Sequence, residues 1–116
     1  MILFIDDEKL PEWFNLNSNE ILVANSYNNA YSLYLYSDSN ERILYLDYDI
    51  GESKNGLQLL KQMSSLKKPD KVYCISINAI GVEKIKRFCL DNEISFEDIG
   101  RKMMFERFSI LYGQSG

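Results

Sequence analysis

The chain has no histidine, and only two cysteines, two prolines and one tryptophan among 116 residues. Each shortage closes off chemistry. Without histidine there is no Ser-His-Asp triad, no imidazole general base and no histidine-ligated zinc. Cys74 and Cys89 are too few for a thiolate zinc site, and both lie in apolar stretches, which suits buried free thiols better than a disulfide. A reducing cytoplasm fits them. Long hydrophobic runs are missing too. The longest, residues 1–5, falls far short of the roughly 20 apolar residues of a bilayer span, and no charged n-region precedes it, so no membrane association is expected.

What remains is an ordinary globular composition, 46% hydrophobic and 26% charged. The length suits one domain, expected over residues 1–112, with a flexible tail at 113–116. Charge is unevenly placed: residues 1–60 carry ten acids and three bases, whereas residues 61–116 carry ten bases and seven acids. An acidic front half argues against duplex DNA binding and is compatible with a divalent cation. Lys84, Lys86 and Arg87 could meet a phosphate, but on an amphipathic helix they read first as a solvated face. The abundance of Asn, Ser, Ile and Tyr fits an AT-rich coding sequence, such as that of a phage or a low-GC bacterium.

Short apolar runs alternate with helical periodicity. Residues 2–5, 21–24, 43–46 and 71–77 read as strands, and 94–99 as a weaker fifth. Ser26 can cap a helix in which Tyr27, Ala30, Tyr31 and Tyr34 share a face. A second helix from Leu57 shows Leu59, Met63 and Leu66 on one stripe with Leu60 beside it. A third carries Val82, Ile85, Phe88 and Cys89, and a last one is expected over residues 101–112 through Met104, Phe108 and Leu111. Residues 9–20 hold one helical turn at most, so the first crossover helix is degenerate, with Trp13 expected to plug the sheet face left bare. Alternating strands and helices imply a mostly parallel sheet covered on both faces, a three-layer α/β sandwich of four to five strands.

Ligands of such sheets bind beyond the carboxyl ends of the strands. Two strands here end in clustered acids, Asp6-Asp7 and Asp47-Tyr48-Asp49, and a doubly wound sheet makes those strands neighbours. Converging carboxylates repel unless something positive sits among them. A hard divalent ion, Mg²⁺ or Mn²⁺, is the economical partner for Asp6, Asp7, Asp47 and Asp49.

The runs Phe4-Ile-Asp-Asp-Glu8, Leu46-Asp-Tyr-Asp-Ile-Gly51, Asn55-Gly-Leu-Gln-Leu-Leu60 and Ser76-Ile-Asn78 resemble the receiver domain of two-component signalling. They are most similar to its divergent branch, the cyclic-phosphate-processing receiver-like domains. The resemblance implies a flavodoxin-like sheet in the order 2-1-3-4-5. It implies that Asp6 and Asp7 hold a metal, that Asp47 is the carboxylate that meets phosphorus, and that Asp49 is the branch's second acid. It also implies that Ser76 and Asn78 donate hydrogen bonds to phosphoryl oxygens. Two of the branch's histidines are replaced, by Tyr48 and Ile75, and the receiver lysine after the fifth strand has one rough counterpart, Lys102. Three functions follow as expectations: a metal-dependent phosphoesterase acting on a cyclic or terminal phosphate of a nucleotide or RNA end, a stand-alone receiver phosphorylated on Asp47, or a non-catalytic protein that docks on a nucleotide or a protein partner.

Overall fold

The computed structural model describes residues 1–17, 19–51, 53–103 and 106. The apolar runs form five strands: β1 (Ile2–Ile5), β2 (Leu22–Ala24), β3 (Ile43–Leu46), β4 (Lys71–Cys74) and β5 (Ser95–Asp98). All neighbouring pairs are parallel, in the order β2-β1-β3-β4-β5. The helices are α1 (Tyr27–Leu35), α2 (Gly56–Leu66) and α3 (Ala79–Asp91).

Strand alternation sorts the side chains onto two faces. Leu3, Ile5, Leu44, Leu46, Val72 and Cys74 point to one face and form the main core with Tyr27, Tyr34, Leu60, Met63 and Ile85 of the three helices. Leu66, expected on the inward stripe of α2, is instead exposed in its last turn. The opposite face is aromatic. Phe4, Tyr45 and Tyr73 lie in a row, with the two tyrosine rings stacked 4.6 Å apart.

Among the described residues no α-helix fills the first crossover. A 3₁₀ turn at Pro11–Phe14 takes its place, and Trp13, Phe14 and Leu16 pack there on Phe4 and Ile75. Ile99 and Met103 join the same cluster from the far end of the chain. Residues 100–103 are helical. The remainder of the helix expected over residues 101–112, with Met104, Phe108 and Leu111, and the tail 113–116 fall outside the described residues apart from 106.

Strand β4 stops at Cys74 rather than running to Ile77. Ile75 still donates to the Leu46 carbonyl (3.0 Å), but β3 ends at Leu46 and β5 at Asp98, so Ser76 and Ile77 have no ladder to join. They line the cleft beyond the strand ends instead. Helix α3 therefore begins at once, at Ala79, behind its cap Asn78.

Candidate phosphate-binding cleft

The ends of β1, β3 and β4 open into one cleft of about 260 Å³, lined by Asp7, Glu8, Lys9, Asp47, Asp49, Gly51, Ser76 and Ile77. Its floor is buried: Asp6 and Asp47 are each 4% exposed and Ser76 1%. The main chain delivers these acids directly from the sheet. Asp6 N–H donates to the Ala24 carbonyl (3.1 Å) and Asp47 N–H to the Ile5 carbonyl (3.2 Å), so each carboxylate leaves the last rung of the ladder.

Asp6 folds the chain that follows it. Its Oδ1 accepts from the N–H groups of Asp7 (2.8 Å) and Glu8 (3.4 Å), and its Oδ2 accepts from the Lys9 N–H (3.1 Å). This turn brings Lys9 back over the floor. The Lys9 Nζ then sits 3.3 Å from Asp6 Oδ2 and 3.1 Å from Asp47 Oδ2. Burial, and then the Asp47 carboxylate, raise the Asp6 carboxyl above the usual aspartate range, while Lys9 pulls it down. For Lys9, burial works to lower the ammonium, but Asp47 and Asp6 outweigh it and leave it above the ordinary lysine value. The cation between Asp6 and Asp47 is thus a lysine that sequence reasoning passed over. Its spacing from Asp6 was the available signal; its partner Asp47 lies 38 residues away.

The other residues divide. Asp7 and Asp49 are exposed carboxylates of the cleft wall. Gly51 closes the wall behind Asp7 with φ +77°, and a Cβ on it would overlap Asp7 Oδ2. Asp49 Oδ2 accepts from Asn78 Nδ2 (3.2 Å). Asn78 Oδ1 is spent on the N–H groups of Ile80 (3.1 Å) and Gly81 (3.2 Å), so this side chain caps α3 and holds Asp49 rather than lining the cleft. Ser76 Oγ accepts from the Asn78 N–H (3.1 Å), a bond that leaves its own proton for another acceptor.

Neither residue in the family's histidine positions reaches the cleft. Tyr48 packs its ring where a Gly81 side chain would be, and its hydroxyl accepts from Asn55 Nδ2 (3.1 Å). Ile75 is fully buried on the aromatic face. Lys102 is exposed in the helical turn 100–103 and does not line the cleft.

The donors are all hard oxygens, as Mg²⁺ or Mn²⁺ requires. Both Asp6 oxygens are already engaged and Asp47 Oδ2 accepts from Lys9, which leaves Asp7 and Asp49 as the residues that would hold such an ion. Among the described residues no three acidic or thiol side chains are gathered as a ready metal cage. That arrangement fits an ion held by one or two carboxylates and several waters, in a cleft with room for them.

A parallel five-stranded sheet in this order, with paired acids beyond β1 and β3, defines a receiver-like α/β domain. The sequence model of the cyclic-phosphate processing receiver domain matches residues 1–91, and the chain belongs to that family. Among solved structures, the chain is similar to one described as yeast Spc42 trimeric coiled-coil amino acids 181–211 fused to another structure. The TM-score is 0.58 at 13% identity, covering 99% of this chain and 84% of that one, a likeness of fold alone. No curated protein matches the chain. No helix among the described residues is long and apolar enough to cross a membrane.

Proposed function

We propose that the cleft binds and processes a cyclic or terminal phosphate of a nucleotide or RNA end. The observation that carries this reading is the convergence of Asp7, Lys9, Asp47, Asp49 and Ser76, from three separate strand ends, on one small cleft. A bound Mg²⁺ or Mn²⁺ would supply Lewis acidity and charge neutralisation at phosphorus. Asp7 and Asp49 would hold that ion from the cleft wall. Asp47, at the floor, orients the attacking water and takes its proton. Ser76 donates its hydroxyl proton to a phosphoryl oxygen, and Asn78 keeps Asp49 in place without touching substrate. Water adds to phosphorus and gives its proton to Asp47, one ring P–O bond breaks, and the freed sugar oxygen takes up that proton, relayed from Asp47 through water, as a phosphomonoester forms. Incubation with 2′,3′- and 3′,5′-cyclic nucleotides and Mn²⁺, followed by anion-exchange chromatography, tests this. Ring opening lost in Asp47→Asn supports it, and no turnover above that variant rules those substrates out.

One observation favours a second reading, a binding protein without catalysis. Tyr48 and Ile75 both point away from the cleft, so the proton carriers of the family's pattern are not replaced in space. Tight binding of a cyclic nucleotide with no turnover would select it.

A further inference from the structure

We propose that Lys9 is the anion-recognition residue of the cleft: its ammonium, held by Asp6 and Asp47, gives its remaining N–H to an oxygen of the entering phosphate. This rests on the phosphate reading above and names the residue that makes such a ligand tolerable. The other charged side chains lining the described cleft are Asp7, Glu8, Asp47 and Asp49, all acids. A phosphate approaching them meets repulsion, and Lys9 is the cationic side chain among the described lining residues.

The geometry prepares it for that contact. An ammonium has three donors, and two are taken by carboxylates at 3.3 and 3.1 Å. Those carboxylates are buried, so the ion pairs are poorly screened and the lysine stays with them. The Lys9 main chain is pinned as well, through its N–H to Asp6 Oδ2 (3.1 Å). A long, flexible side chain has thus lost its freedom before any ligand arrives, which spares the ligand that cost. Its position also explains why Lys102 can stand exposed and away from the cleft: the cation beside Asp47 comes from the opposite end of the chain.

Isothermal titration calorimetry separates this role from a structural one. Wild type, Lys9→Met and Lys9→Arg are each titrated with MgCl₂ alone, and with inorganic phosphate at saturating Mg²⁺. Lys9→Met is expected to weaken phosphate binding about tenfold or more, the scale of one charge-assisted hydrogen bond. It is expected to leave Mg²⁺ binding equal or tighter, because a positive charge has left an acidic cleft. Lys9→Arg should recover part of the phosphate affinity. A merely structural lysine would weaken both ligands together, and that result overturns the proposal, as does phosphate binding unchanged in Lys9→Met. If wild type binds no phosphate at all, the phosphate reading fails and the role of Lys9 falls with it. Should Lys9→Met fail to fold, Lys9→Met/Asp6→Asn is compared with Asp6→Asn. The amide oxygen keeps the bonds from the Asp7 and Glu8 N–H groups while one of the two charges that faced Lys9 is gone, and the same phosphate loss is expected.

Discussion

Asn78 Nδ2 donates to Asp49 Oδ2 at 3.2 Å while its own Oδ1 caps helix α3, so one side chain ties the start of that helix to the loop after β3. Asn78→Ala is expected to cost about 1 kcal/mol, the usual loss for a helix cap, and to free Asp49. Asn78→Asp keeps the cap but sets a carboxylate against Asp49, so it should retain more stability than the alanine variant while altering Mg²⁺ affinity. Urea unfolding reads the first effect and calorimetric Mg²⁺ titration the second. Equal stability of both variants with wild type would show that the cap is idle.

Gly51→Ala should be destabilising on two grounds. The residue sits at φ +77°, and a Cβ there overlaps Asp7 Oδ2. Strain of this kind costs on the order of 1–3 kcal/mol, and the displaced Asp7 should weaken Mg²⁺ binding in the same variant. Chemical denaturation together with Mg²⁺ titration checks both, and an unperturbed Asp7 would leave the cation affinity unmoved.

The irregular first crossover is a structural plug, so Phe14→Ala should behave as a core deletion. Its ring is 7% exposed and lies 5.8 Å from that of Phe4. A loss of about 3 kcal/mol is expected from urea unfolding, against under 0.5 kcal/mol for a change at exposed Glu12.

Burial pushes the Cys74 thiol up to about 11 and the Cys89 thiol up to about 12. Both should therefore stay protonated at neutral pH and resist a thiol-reactive dye until the chain unfolds. The sign of the linkage follows. Above roughly pH 8.5 the unfolded thiols lose protons that the folded ones keep, so stability should fall as pH rises through that value toward the folded values. Denaturation midpoints at pH 7 and pH 10 measure this, and Cys74→Ala/Cys89→Ala should flatten the difference.

The sheet was legible because β1 and β3 are short apolar runs stopped by acids, and the order of elements left few ways to wind them. Tyr27, Ala30 and Tyr34 were readable as the inward face of α1 for the same reason: their spacing repeats. Asp6, Asp7, Asp47, Asp49 and Ser76 could be placed together because strand ends of a parallel sheet share one edge. What escaped the sequence depends on partners distant along the chain. Lys9 looked like any loop lysine until the turn around Asp6 carried it to Asp47. Asn78 carried the composition of a phosphate donor and also that of a helix cap, and only the position of α3 decides how its amide is used. The extra length given to β4 had a similar origin, since Ile75 to Ile77 keep an apolar pattern after their neighbouring strands have ended.

Anomalous diffraction from a crystal soaked with Mn²⁺ and inorganic phosphate tests the central claim most directly. The expected result is a manganese peak on the Asp7 and Asp49 side of the cleft, with tetrahedral density against Lys9 Nζ and Ser76 Oγ. A cleft holding neither ion at saturating concentrations, with Lys9 still bridging Asp6 and Asp47, would contradict it.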